Sequence, residues 1–131
     1  MKHTPAAFKL QRETVGCSQQ HLADLLDIGV LQIKLWEKPD GKPAPDTAWR
    51  LLEALMIEHE TMISTALEQI HEQGSKDQPI TLMYYRDKNM FAAQHPVEDA
   101  DGWQMANTRI RDIVARLTAE GYEVNIVYPT E

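Results

Sequence analysis

Cysteine is nearly missing from this chain: Cys17 stands alone, so no internal disulfide framework can form, and a reducing compartment is the expectation. No stretch approaches the roughly 18 uninterrupted apolar residues of a membrane-spanning helix. The N-terminus Met1-Lys2-His3-Thr4-Pro5 lacks the apolar core of a signal peptide. The expected location is therefore the cytoplasm, with no membrane partner. Internal repeats and low-complexity tracts are absent as well. An excess of positive charge is also missing, since the net charge is −7.

What is present is ordinary core material. Apolar residues make up 43% and charged residues 25% of the sequence, which argues against global disorder. A length of 131 residues suits one domain, or a small module joined to a dimerisation element. The net charge conceals an asymmetry. Up to Pro45 there are six Lys/Arg against five Asp/Glu, about +1, which leaves seven against fifteen, or −8, for the remainder. The acidic part favours solubility and would keep a polyanion away from that surface.

Thr4-Pro5 is a helix start, a hydroxyl cap followed by proline at the first helical position, with Phe8, Leu10 and Val15 as an inward face up to Gly16. Ser18 caps a second helix, whose buried side is expected from Leu22, Ala23, Leu25 and Leu26. Asp27-Ile28-Gly29 is a turn, and Val30 to Glu37 a third short helix with Ile33 and Trp36 on one side. Three prolines and a glycine make Lys38 to Pro45 a loop. Beyond Asp46, residues Leu52, Leu55, Met56, His59, Met62, Ile63, Ala66, Leu67 and Ile70 recur at helical spacing, predicting about seven turns that end before Gly74. A polar linker leads to a strand over 80–85. A short helix through Met90 to Gln94 follows, then a helix from Asp99 or Asp101 terminated by Gly121, and a closing strand over 122–128.

The stretch Ser18 to Glu37 resembles the helix-turn-helix of the Cro/C1 repressor family, the XRE-like regulators. Gln19, Leu22, Ala23, Ile28, Ile33, Trp36 and Glu37 stand where that family carries its characteristic residues. Two short helices crossing at a tight turn must share one core, which leaves the second free to project its outer face. In that arrangement the second helix lies in the major groove and the start of the preceding one meets phosphate. Base contacts are expected from Val30, Leu31, Gln32 and Lys34, with Leu35 at the margin. Phosphate contacts are expected from Ser18, Gln19, Lys38 and Lys42, with Lys9 and Arg12 as weaker candidates. Gln32 suits an adenine edge and Lys34 a guanine or a phosphate, whereas Val30 and Leu31 offer only apolar contact to thymine methyls. Family members usually carry polar side chains at those last two positions.

A wider, looser resemblance covers nearly the whole chain. The long helix after Pro45-Asp46, the segment Leu82-Met83-Tyr84-Tyr85, His95-Pro96 and Gly102-Trp103-Gln104 resemble the YdiL-like family, which includes anti-CRISPR-associated repressors. It implies a homodimer joined through the C-terminal half and binding an inverted repeat in double-stranded DNA, with RNA bound in some members. The fold expected is mainly α. A five-helix helix-turn-helix head with a long fourth or fifth helix (1–73) leads into a small α/β dimerisation domain (74–131). The expected function is a sequence-specific DNA-binding transcriptional regulator, a homodimeric autorepressor.

Two alternatives stand beside it: a protein-interaction module with a degenerate helix-turn-helix, for which Val30 and Leu31 would be the docking patch, and an RNA-binding regulator. No catalytic constellation points to an enzyme, and no cofactor is implied. The five histidines do not cluster at ligand spacing; Glu68 and His71, three apart, are too few to hold a metal. Cys17 falls at an apolar position of the motif and reads as a buried thiol. Trp36 reads as core, and Glu37 as a partner for a base on the first helix such as Arg12.

Overall fold

The computed structural model describes residues 1–130. It is mainly helical, with six α-helices and one small parallel sheet among the described residues. Two compact units divide the chain, Met1–Glu58 and His59–Glu131. The division falls inside the longest helix, so that helix contributes to both.

The first unit opens with α1 (Pro5–Val15), where the Thr4 hydroxyl accepts from the Ala7 N–H. Gly16, at φ 74°, closes it in the left-handed conformation, and the Gly16 and Cys17 N–H groups satisfy the Glu13 and Arg12 carbonyls. Next comes α2 (Gln19–Leu26), capped by the Ser18 hydroxyl and closed by Asp27 at φ 55°. Then α3 (Val30–Trp36) and the loop to Pro45 lead into α4 (Asp46–Gln73). The long helix is thus the fourth, and the first unit holds four helices where the resemblance implies five.

Phe8, Val15, Leu22, Ala23, Ile33, Ala48, Trp49 and Leu52 form the buried interior of this unit. Phe8 meets Trp36 and Trp49 edge-on at 5.9 and 5.3 Å between ring centroids, and His3 stacks on Trp49 at 4.0 Å. Two inward assignments need correction. Leu10 is exposed, because the buried stripe of α1 runs Phe8, Arg12, Val15 and Leu10 lies on the opposite side. Leu25 is exposed as well, and His21 is buried in its place. The four apolar residues of α2, a two-turn helix, span nearly half its circumference, so the neighbouring helices decide which of them face inward.

In the second unit β1 (Ile80–Met83) and β2 (Val124–Val127) pair in parallel, Ile80 opposite Val124 and Met83 opposite Val127. Parallel strands need a crossover. Here it consists of α5 (Lys88–Gln94), a 3-10 turn over Ala100–Gly102 and α6 (Trp103–Ala119). Both strands are shorter than the 80–85 and 122–128 expected from composition and alternation. The interior gathers Ile63 of α4 with Ile113 and Leu117 of α6, packed by Ala66, Leu67, Ile70, Ile80, Leu82, Tyr122 and Val124. Met62, on the apolar spacing of α4, is exposed.

Beyond β1, the Asn107 side chain continues the ladder. Its carboxamide oxygen accepts from the Tyr85 N–H at 2.9 Å and its NH2 donates to the Tyr85 carbonyl at 2.8 Å.

Candidate nucleic-acid interface

The outer face of α3 is set by what holds its inner face. Ile33 is fully buried and Trp36 half-buried against Phe8. The C-terminus of α3 is fastened by Glu37, whose carboxylate receives Arg12 in a two-point pairing, Nε to Oε2 at 2.6 Å and Nη2 to Oε1 at 2.8 Å. Arg12 also donates from Nη1 to the Cys17 carbonyl at 3.0 Å. Gln19 donates its amide to Glu37 Oε1 at 3.1 Å. One carboxylate thereby ties α1, the start of α2 and the end of α3 together. A carboxylate at a helix C-terminus opposes the helix dipole, so Glu37 is stable there because Arg12 neutralises it. The same pairing raises the Arg12 pKa above the ordinary guanidinium value, against the opposing effect of burial.

With that anchor in place, Leu31, Gln32, Lys34 and Leu35 face solvent and Val30 is half-buried. Leu31 is 70% exposed and Leu35 46%, one turn apart on the same side. No acidic residue lies within α3. Lys38 and Lys42 are exposed in the following loop, with Asp40 between them. Gly41 fits there because its N–H donates to the Lys38 carbonyl at 2.9 Å and a Cβ at this position would overlap the Leu35 carbonyl oxygen. The loop therefore lies close against the end of α3.

Of the expected phosphate ligands, Lys38 and Lys42 are exposed, and Ser18 spends its hydroxyl oxygen on the cap of α2. Gln19 directs its amide donor inward to Glu37, and Arg12 is buried in the ion pair, which removes it as a free cation and leaves Lys9 exposed on α1. The pairing of Glu37 with Arg12 follows the expectation from sequence. The inward turn of Gln19 carries no such signal, because a glutamine at a helix start serves either role.

Cys17 is buried, and desolvation pushes its thiol pKa up to about 11. Among the described residues no group of three or more His, Cys, Asp or Glu side chains is placed to hold a metal ion, and no helix is long and apolar enough to cross a membrane.

The second unit holds two features that sequence spacing does not reveal. The Tyr85 hydroxyl is 2.7 Å from His95 Nε2, and both rings pack on Phe91. Burial raises the Tyr85 pKa, with Glu98 adding to the effect and Arg109 opposing it. A shallow apolar depression of about 350 Å³ lies between Tyr84, Ile110, Val114, Ala115 and Ile126. Nearby on the chain, Met83, Val127 and Tyr128 are exposed. Neither a protein-family model nor a curated protein matches this chain.

Proposed function

We propose that the protein is a sequence-specific DNA-binding transcriptional regulator of Cro/C1 helix-turn-helix type, acting as a homodimeric repressor on an inverted repeat. The observation that carries this reading is the outer face of α3: a short helix anchored from behind by Ile33, Trp36 and the Arg12–Glu37 pair, free in front, free of acid, and followed by Lys38 and Lys42. In this reading α3 enters the major groove, Gln32 and Lys34 reach base edges or phosphate, and the loop lysines meet the backbone. Dimerisation belongs to the second unit, where the depression beside Ile126 and the exposed Tyr128 supply apolar surface for a second copy.

The test is titration of the full-length protein with the duplex from upstream of its own gene, over a range of salt. Affinity should fall steeply with salt, and each of Lys34→Ala, Lys38→Ala and Lys42→Ala should weaken binding across all sequences and reduce the salt slope by about one. Unchanged binding in all three would remove α3 and its loop as the contact face. A second reading, a protein-interaction module, is favoured by the exposure of Leu31 and Leu35. It predicts no salt-dependent DNA binding at all.

A further inference from the structure

We infer that the outer face of α3 selects DNA by the C5 methyl groups of thymine, with Leu31 and Leu35 as the reading side chains. This rests on the DNA-binding function proposed above and goes beyond it by making methyl recognition the basis of selection and by assigning it to Leu31 and Leu35 in place of Leu31 and the half-buried Val30. A lone exposed leucine is ordinary on a protein surface. Two leucines four positions apart on a seven-residue helix are a stripe, and this stripe occupies the middle of the face that also carries Gln32 and Lys34.

The flanking charge selects the occupant. Lys34 lies on α3 beside the stripe and Lys38 and Lys42 follow it in the loop, against Asp27 before the helix and Asp40 in the loop, while Glu37 is already neutralised by Arg12. An apolar stripe on a helix that carries one exposed cation and is followed by two more fits a polyanion that displays apolar groups. In the major groove the one apolar group on a base edge is the thymine methyl. Spacing agrees with this. Four residues of helix advance about 6 Å, close to two base-pair steps of about 3.4 Å each. Gln32 suits the adenine paired with such a thymine, so one A·T pair offers both a methyl and a hydrogen-bonding edge.

The experiment begins with duplexes recovered by the full-length protein from a random pool. Thymines in those duplexes are then replaced one at a time by deoxyuridine, which removes the C5 methyl and leaves every hydrogen-bonding group in place. Burying one methyl corresponds to about a fourfold change in affinity. Replacing two thymines together near the centre of one half-site should thus weaken binding about fifteenfold at constant salt. In Leu31→Ala/Leu35→Ala the thymine-to-uracil ratio should fall to near one while the salt slope stays unchanged. Leu31 is mostly exposed and Leu35 about half, so the thermal unfolding midpoint should move by a few degrees at most.

Equal binding of thymine and uracil duplexes by the unaltered protein would overturn the inference and leave the DNA-binding function standing. A ratio that persists in the double variant would overturn the assignment to these two leucines. Recovery of no duplex would overturn the function and the inference together. A change in molecular mass in the leucine variant, without a change in DNA affinity, would make the stripe a protein-docking surface and reject the inference.

Discussion

Arg12 and Glu37 show how one residue pair governs a face on which neither side chain is displayed. Their side chains are 9% and 5% exposed, so removing either leaves the other charged and desolvated. Glu37→Ala is expected to cost roughly 3 kcal/mol or more, and Arg12→Ala a similar amount. The double substitution should cost clearly less than the sum, measured by urea unfolding in a double-mutant cycle. Cys17, one residue from the cap of α2, makes a prediction in pH. Its folded-state pKa lies near 11 against 9.0 for the free thiol. The folded protein therefore favours the protonated form, a contribution fully present below pH 9 and lost as pH rises toward 11. Between those limits stability should fall by roughly 2–3 kcal/mol more than in Cys17→Ala, read from denaturant midpoints of the two proteins side by side.

For the elements, the joint between α2 and α3 and the joint after α3 rest on different devices. Asp27 enters the left-handed region at φ 55°, a conformation that costs most L-residues roughly 1–2 kcal/mol and that aspartate tolerates better. After α3 the requirement is space. At Gly41 a Cβ would collide with the backbone carbonyl of Leu35, and backbone cannot swing aside as a flexible side chain would. Gly41→Ala should therefore lower stability by roughly 1–3 kcal/mol. The same change displaces Lys38 and Lys42, so DNA affinity should drop even at temperatures where the variant remains folded. Thermal unfolding and DNA titration of that one variant check both statements.

Across the whole molecule, charge is divided along the chain: near neutrality up to Pro45 and strongly acidic beyond it. A DNA contact through α3 and its loop uses the part of the chain that does not repel phosphate. A dimer formed through the second unit predicts a solution mass near twice 15.0 kDa at micromolar concentration. Ile126→Arg should reduce that mass to one chain and weaken binding to a two-half-site duplex, with little effect on secondary structure, since Ile126 is 43% exposed. A single-chain mass for the unaltered protein would remove the inverted-repeat reading.

The sequence alone determined the order of the elements and the ends of the first four helices, because caps, prolines and apolar spacing act locally, whereas both strands and the start of α6 fall inside the expected ranges. Thr4-Pro5, Ser18, the turn at Asp27-Ile28-Gly29, the loop to Pro45 and the long helix closing before Gly74 all stand where those signals put them. It also marked the outward Leu31, Gln32 and Lys34, since Ile33 and Trp36 had to face the other way. Only the tertiary structure decided the rest. Leu10 and Leu25 face solvent while Arg12 and His21 are buried, Gln19 turns inward to Glu37, and β1 pairs with β2 in parallel. Each of these depends on a partner from a distant part of the chain. Residues 18 positions apart for the Gln19 hydrogen bond, and a crossover of about forty for the strands, leave no periodic trace. Side-chain burial on a short helix is likewise settled by what packs against it.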